Sequence, residues 1–232
     1  MELLPWLDRP PGDRAEDLHH ESLAKRVRDD LLALILAGRL SPGQRISEPD
    51  IARRHEVSRV PVREALRELE SAGLVISRKY SGVFVRELDA SEVRNLYEIR
   101  AVFDGLAAAR AAAASDEERR QLCERLSPSI ERMRASTGAD QLQAYYRANL
   151  QFHWDLVTAT GNAELESSYR ALIQKLHLSR LRNLARSASM LNSIAEHEMI
   201  AAAVRVGDAA RARQLAESHV NDAWLRLSKE VS

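Results

Sequence analysis

The sequence predicts a mainly α protein, with a small head of three helices and a β-hairpin followed by a larger all-α helical bundle. Three observations predict it. Ala, Leu, Arg and Glu are plentiful while aromatic residues make up 5% of the chain, and the plentiful types lose little rotamer freedom in a helix. Apolar residues recur at spacings of three and four over most of the chain after Leu23, the period of a helix with one buried face. The exception lies between Gly73 and Arg86, where two short β-prone runs flank a glycine-containing turn. At 232 residues, two modest domains with separate cores are the better expectation than one.

Met1 to about Asp17 carries Pro5, Pro10, Pro11 and Gly12 and no sustained period, so it reads as a loose arm. Leu23, Val27, Leu31, Leu34 and Ile35 form the apolar face of a first helix that Gly38 stops. After the Pro42-Gly43 turn, Ser47 is expected to cap a short second helix running to about His55, with Asp50 at its third position. Ser58 is expected to cap a third helix starting at Arg59, with Pro61 in its first turn. Val62, Ala65, Leu66, Leu69 and Ala72 face one way on it until Gly73, while Arg59, Arg63 and Arg67 line another face. Leu74 to Ser77 and Val83 to Val85 then make the hairpin, and three helices followed by a hairpin is the winged helix-turn-helix order.

Beyond Asp89, which can cap with Glu92 three residues on, the expected helices are Ser91 to Ala114, Asp116 to Arg134, Gln141 to Thr160, Ala163 to about Arg186, Ser193 to Val206 and Asp208 to about Lys229. The domain boundaries that follow are an arm over 1–18, a winged helix-turn-helix head over 19–87 and an all-helical domain over 88–232.

Formal net charge is zero, but His20 to Arg86 holds thirteen Lys and Arg against nine Asp and Glu, leaving that segment at +4 and the remainder at −4. The basic end is the front. A lone Cys123 cannot form an intrachain disulfide, and no charged n-region followed by an apolar h-region opens the chain, so a reducing cytoplasm is expected. The longest Ala-rich run, Ala107 to Ala114, is interrupted by Arg110 and is too short to span a bilayer, so no membrane segment is expected.

A helix that reads DNA must carry its bulk inward and its long donors outward, because Arg can pair with guanine in the major groove or with phosphate oxygens. Arg59, Arg63 and Arg67 form such a stripe, and Ser58 at the helix start lies where backbone amides favour phosphate. The bland alternative is a solvated face salt-bridged to Glu64, Glu68 and Glu70. Context favours DNA: a short helix, a tight turn, this stripe and a glycine-tipped hairpin follow in immediate succession.

The run from Val57 to Val75, VSRVPVREALRELESAGLV, strongly resembles the signature of GntR-type regulators. Upstream, Ile35 to Glu48 (ILAGRLSPGQRISE) and the wing Ser81-Gly82-Val83-Phe84-Val85 fit it in order, over about residues 20 to 86. The resemblance implies operator contacts at Ser58, Arg59 and Arg63 and a wing glycine, Gly82, that approaches the minor groove; Arg67, on the same stripe, and Arg45 are further DNA-binding candidates. Pro49 departs from relatives that place an Arg contact there, so no contact is carried over.

In the second domain Asn149 and His153 stand four apart on a predicted helix and share a face. His197 lies ten residues before Gly207 and His219 eleven after Asp208, so an antiparallel pair turning there sets both at nearly equal height, roughly 15–17 Å from the turn. Three imidazoles and a side-chain oxygen suit a divalent metal such as zinc or nickel, with room for an exogenous ligand. Ordinary core or surface histidines are the alternative, the reading given to His19, His20, His55 and His177. Asn149-Leu150-Gln151-Phe152-His153 followed by Gly161-Asn162 is similar to the core motif of the FCD-type ligand-binding domain of the FadR subfamily, in which His197 and His219 fall at the other metal positions. Many such domains have Asp where this chain has Asn149, and an amide oxygen is a neutral, weaker ligand.

Leu96-Tyr97-Glu98-Ile99-Arg100 matches a further pattern of that family, in which the arginine faces the cavity, so Arg100 would favour a small carboxylate as effector. A structural Arg100 paired with Glu98 or Asp104 is the alternative, and Asp104 reads as structural. Together these imply a homodimeric, cytoplasmic, ligand-responsive transcription regulator on a palindromic double-stranded operator, with no catalysis. The rival is a metal-dependent hydrolase tethered to a DNA-binding head, against which stands the lack of a Glu between paired histidines.

Overall fold

The computed structural model describes residues 22–138, 141–180 and 190–231. The expected arm, His19, His20, the last expected turns of the helix ending near Arg186 and the break at Ser187-Ala188-Ser189 lie outside the described residues. The chain divides into two compact units, Met1–Leu88 with Ile173–Asn183, and Asp89–Leu172 with Leu184–Ser232.

The first unit opens with α1 (Leu23–Leu36), capped by Ser22, whose side chain accepts from the Lys25 amide. Then follow β1 (Arg45–Ile46), α2 (Glu48–Arg54), α3 (Arg59–Ser71), β2 (Val75–Arg78) and β3 (Gly82–Val85). The wing is a three-stranded antiparallel sheet in the order β1-β3-β2, with Arg45 opposite Phe84 and Val75 opposite Val85. The expected hairpin is β2 and β3. β1 is an addition that two residues are too few to announce by period; the Gly43 amide donates to Val85 O and the Val85 amide to Gln44 O, which lays it alongside β3.

Val27, Leu31 and Ile35 of α1 meet Val62, Ala65, Leu66 and Leu69 of α3 and Leu74, Val75 and Val85 around the sheet. Each large side chain buried there is worth roughly 1.5–3 kcal/mol. Leu178, from the later segment of this unit, is 1% exposed in the same core. Beside it His177 Nε2 lies 2.9 Å from Leu36 O, satisfying a carbonyl at the end of α1 that has no partner within the helix. Polar ties fix the frame: buried Asp30 bonds His55 at 3.1 Å, Arg28 donates to Glu68 at 2.7 Å, and Glu70 accepts from the Ser77 amide and hydroxyl. His55 and His177 are thus structural.

The second unit holds α4 (Ala90–Ala112), α5 (Asp116–Ala135), α6 (Leu142–Thr158), the start of α7 (Ala163–Arg180), α8 (Met190–Val206) and α9 (Ala209–Val231). Capping boxes start α4, with Asp89 and Glu92, and α5, with Ser115 and Glu118. α4 packs most extensively on α9. Gly105 permits this approach, since a Cβ there would stand 2.6 Å from the Glu217 side chain. Gly161 and Gly207, both at positive φ, follow the ends of α6 and α8 as expected. No helix among the described residues is long and apolar enough to cross a membrane.

Candidate nucleic-acid interface and metal centre

α3 buries Val62, Ala65, Leu66 and Leu69 and leaves Ser58, Arg59, Arg63 and Arg67 exposed. Two of the carboxylates that could have neutralised the stripe are engaged elsewhere, Glu68 with Arg28 and Glu70 with Ser77. Arg63 instead donates from Nε to Glu48 Oε2 of α2 at 2.9 Å. Ser47 and Ser58 stand at the N-cap positions of α2 and α3, but neither makes the expected side-chain capping bond. A cap bonds the amide two or three residues on. Pro49 and Pro61 occupy one of those places in each helix and have no amide hydrogen.

Arg45 is exposed on β1, and its guanidinium lies against Gly82, where a Cβ would come within 3.1 Å of Arg45 Nε. Gly82 has φ +101°, a conformation that favours glycine. Beyond it Lys79 sits over the ring of the fully exposed Tyr80, and Arg78 over Phe84. These wing residues were not singled out in the sequence; the basic-aromatic run Arg78-Lys79-Tyr80 was the available signal.

In the second unit α6, α8 and α9 bring His153, His197 and His219 together, with exposures of 0, 0 and 3%. Their ligand atoms lie within 4.8 Å of one another, and His153 Nε2 is 3.3 Å from both His197 Nε2 and His219 Nε2. Each Nδ1 faces an oxygen: Asp104 Oδ1 at 3.0 Å for His153, Ser193 O at 2.5 Å for His197 and Glu196 Oε2 at 2.6 Å for His219. A carbonyl or ionised carboxylate only accepts, so the single proton of each neutral ring belongs on Nδ1. The three Nε2 atoms therefore converge without a ring proton among them, with the Asn149 Nδ2 amide within donating reach of His197 Nε2. Their three lone pairs could hold a cation, and oriented outer partners of this kind are the usual surroundings of metal-binding histidines.

Electrostatics keeps the rings neutral. Burial, with the nearby Arg100 charge, pulls His153 down to about 4 despite Asp104 beside it. Burial and the other two rings hold His197 well below its ordinary value, and burial lowers His219 against the pull of Glu196. Burial would raise Asp104, but His153 and Arg100 outweigh it and hold its carboxyl at about 2. Glu196 is likewise brought to about 2, its partial burial overcome by bonds to His219 and Arg226.

Asn149 projects from α6 one turn before His153 and is buried, its Nδ2 3.1 Å from His197 Nε2. Arg100 is 2% exposed and donates from Nε to Asp104 Oδ2 at 3.1 Å. Asp104 also accepts from the Tyr169 hydroxyl, so it joins α4, α6 and α7 around the centre. Tyr169, Ser193, Glu196 and Arg226 were not foreseen. Glu196 had a signal: it lies eleven residues before Gly207, as His219 lies eleven after Asp208, and the turn that pairs the histidines pairs these two.

Comparison with known proteins joins the two halves. Residues 23–85 match the model of the bacterial regulatory proteins of the gntR family, and residues 95–222 match the FCD domain. The chain belongs to the GntR family. Its head carries an FCD-type domain behind it, and proteins of this family are DNA-binding regulators rather than enzymes, which removes the hydrolase alternative. A probable D-xylose utilization operon transcriptional repressor of Paenarthrobacter nicotinovorans is 31% identical over 204 residues, 88% of each chain. An Nta operon transcriptional regulator of Aminobacter aminovorans is 32% identical over 60% of this chain and 64% of its own. A putative GntR regulator from Rhodococcus sp. RHA1 superposes with a TM-score of 0.74 at 24% identity, covering 90% of this GntR-family chain and 99% of its own. Escherichia coli McbR/YncC gives 0.71 at 20% identity, covering 92% and 100%. Both share the fold.

Proposed function

We propose that this GntR-family regulator belongs to the FadR subfamily and binds a palindromic operator as a homodimer, released or tightened by a small organic acid sensed at a metal centre. A DNA-binding head over 19–87, its core completed by Ile173–Asn183, precedes an effector-binding and dimerisation domain drawn from the rest of 88–232. Arg59, Arg63 and Arg67 enter the major groove, Ser58 donates its uncapped hydroxyl to phosphate, and Arg45 with Gly82 follows the minor groove at the wing. Two heads related by a two-fold axis read two half-sites.

His153, His197 and His219 would hold a divalent ion such as zinc or nickel, and Asn149 would join them once its amide is turned to present Oδ1. The ion would supply a positive charge and a coordination position open to a carboxylate. Arg100, paired with Asp104 and close enough to disfavour protonation of all three histidines, would offer its guanidinium to an anionic ligand. Asn149 in place of a carboxylate leaves the centre one charge more positive, which favours an acid further. The single observation that supports this reading is the convergence of three unprotonated Nε2 atoms whose Nδ1 positions are all engaged.

Thermal unfolding tests it. The protein is loaded with zinc or nickel, or stripped with a chelator, and scanned against organic acids, amino acids and sugar acids. A ligand that binds the native state at about 100 times its Kd adds about 2.7 kcal/mol and raises the midpoint. At least one acid is expected to raise it in loaded protein and not in stripped protein. No shift with any acid in either form would remove the sensing role.

A further inference from the structure

We infer that Glu48 is a positioning residue for Arg63, and that its carboxylate trades general affinity for phosphate against selectivity for bases. The inference rests on the reading of Arg63 as a base-reading side chain. Glu48 opens α2, and its side chain is the less exposed of the pair, 29% against 57% for Arg63. A carboxylate in the first turn of a helix is favoured by the helix dipole, which suits the position of Glu48. Its Oε2 accepts from Arg63 Nε at 2.9 Å.

Two consequences follow from that bond. With Nε engaged, the guanidinium cannot use its Nε edge on DNA, and the edge formed by the two terminal nitrogens is the one left to it. That is the edge that pairs end-on with O6 and N7 of guanine, and it is fixed before DNA arrives, so less side-chain freedom is lost on binding. The second consequence is charge. Binding to phosphate follows the number of cations that displace counterions, and it carries no sequence information. A carboxylate bonded to Arg63 subtracts from that general attraction and leaves the hydrogen-bonding geometry intact. Among the described residues, Arg63 is the member of the Arg59, Arg63 and Arg67 stripe that carries a carboxylate partner. Discrimination is therefore concentrated there, while Arg59 and Arg67 remain suited to phosphate.

The test uses the full chain and duplexes enriched on it from a pool with a randomised core, against scrambled duplexes of equal length. Affinity for both is measured across a salt series for the wild type, Glu48→Gln, Glu48→Asp, Arg63→Ala and the Glu48→Gln/Arg63→Ala double variant, with the thermal midpoint of each. Glu48→Gln is expected to bind scrambled duplex several-fold tighter, with a salt slope steeper by about 0.9, and to lose roughly tenfold of the enriched-to-scrambled ratio. Glu48→Asp keeps the charge and shortens the reach, so it is expected to keep wild-type affinity for scrambled duplex and still lose selectivity. In the Arg63→Ala background the Gln change is expected to leave the ratio unaltered. If Arg63→Ala lowers the ratio and both Glu48 variants keep it, the positioning role is overturned and the reading of Arg63 stands. The role is also overturned if the Gln change lowers the ratio without Arg63. If Arg63→Ala itself keeps the ratio, the underlying reading fails and the inference falls with it.

Discussion

His153, His197 and His219 are buried as neutral rings, which makes stability depend on pH with a definite sign. For His153 the folded value is about 4 against an ordinary value of 6.5. Between those limits the unfolded chain binds a proton that the folded chain refuses, so stability is complete above pH 6.5 and is lost as pH falls toward 4. At pH 4 this one ring accounts for about 3 kcal/mol, and His197 and His219 act in the same direction. In metal-stripped protein the urea midpoint is expected to be flat from pH 7 to 8 and to fall steeply from 6.5 to 4; a midpoint level down to pH 4.5 would contradict neutral burial. The convergence of His153, His197 and His219 was legible in the sequence, since His153 lies on a helix face and His197 and His219 follow a turn. The structural pairing of Asp104 with Arg100 was legible as helix spacing, but its contact with Tyr169 was not, because that contact spans 65 residues and depends on how α4 and α7 pack. No local period encodes that.

At the scale of elements, the helices of both units emerged where the apolar period placed them, with ends within three residues of those expected as far as the described residues reach. What failed was the reading of a serine as a cap without asking which amide it would accept from. Asp89 shows the contrast: its carboxylate accepts from the Glu92 amide at 2.8 Å while the Asp89 amide donates to Glu92 Oε2 at 3.0 Å. Asp89→Ala is therefore expected to lower unfolding stability by about 1 kcal/mol, whereas Ser58→Ala, which removes no capping bond, is expected to leave it unchanged. Urea unfolding of the two variants side by side decides this, and equal losses would mean that Ser58 caps α3 after all. β1 escaped notice for a different reason: a strand of two residues carries no alternation, and its place is set by backbone bonds to β3.

For the whole molecule, the amino-acid order suggests a head that is complete by about residue 87, yet the first unit also contains residues Ile173–Asn183. Leu178 fills its core and His177 closes the end of α1. A chain ended after Leu88 retains every residue of the family's DNA-binding signature and lacks both. Loss of one buried leucine costs roughly 2–5 kcal/mol, so amide protons of Leu31, Ile35 and Leu69 are expected to exchange faster in the shortened chain by at least thirtyfold. Equal protection would show that the later segment adds nothing to the core. Swapping such heads between regulators by cutting at the apparent linker would therefore leave a hole in each chimera. A graft meant to keep a foreign specificity has to carry a distant stretch of helix with it, because the boundary written in the polypeptide and the boundary of the folded object are not the same.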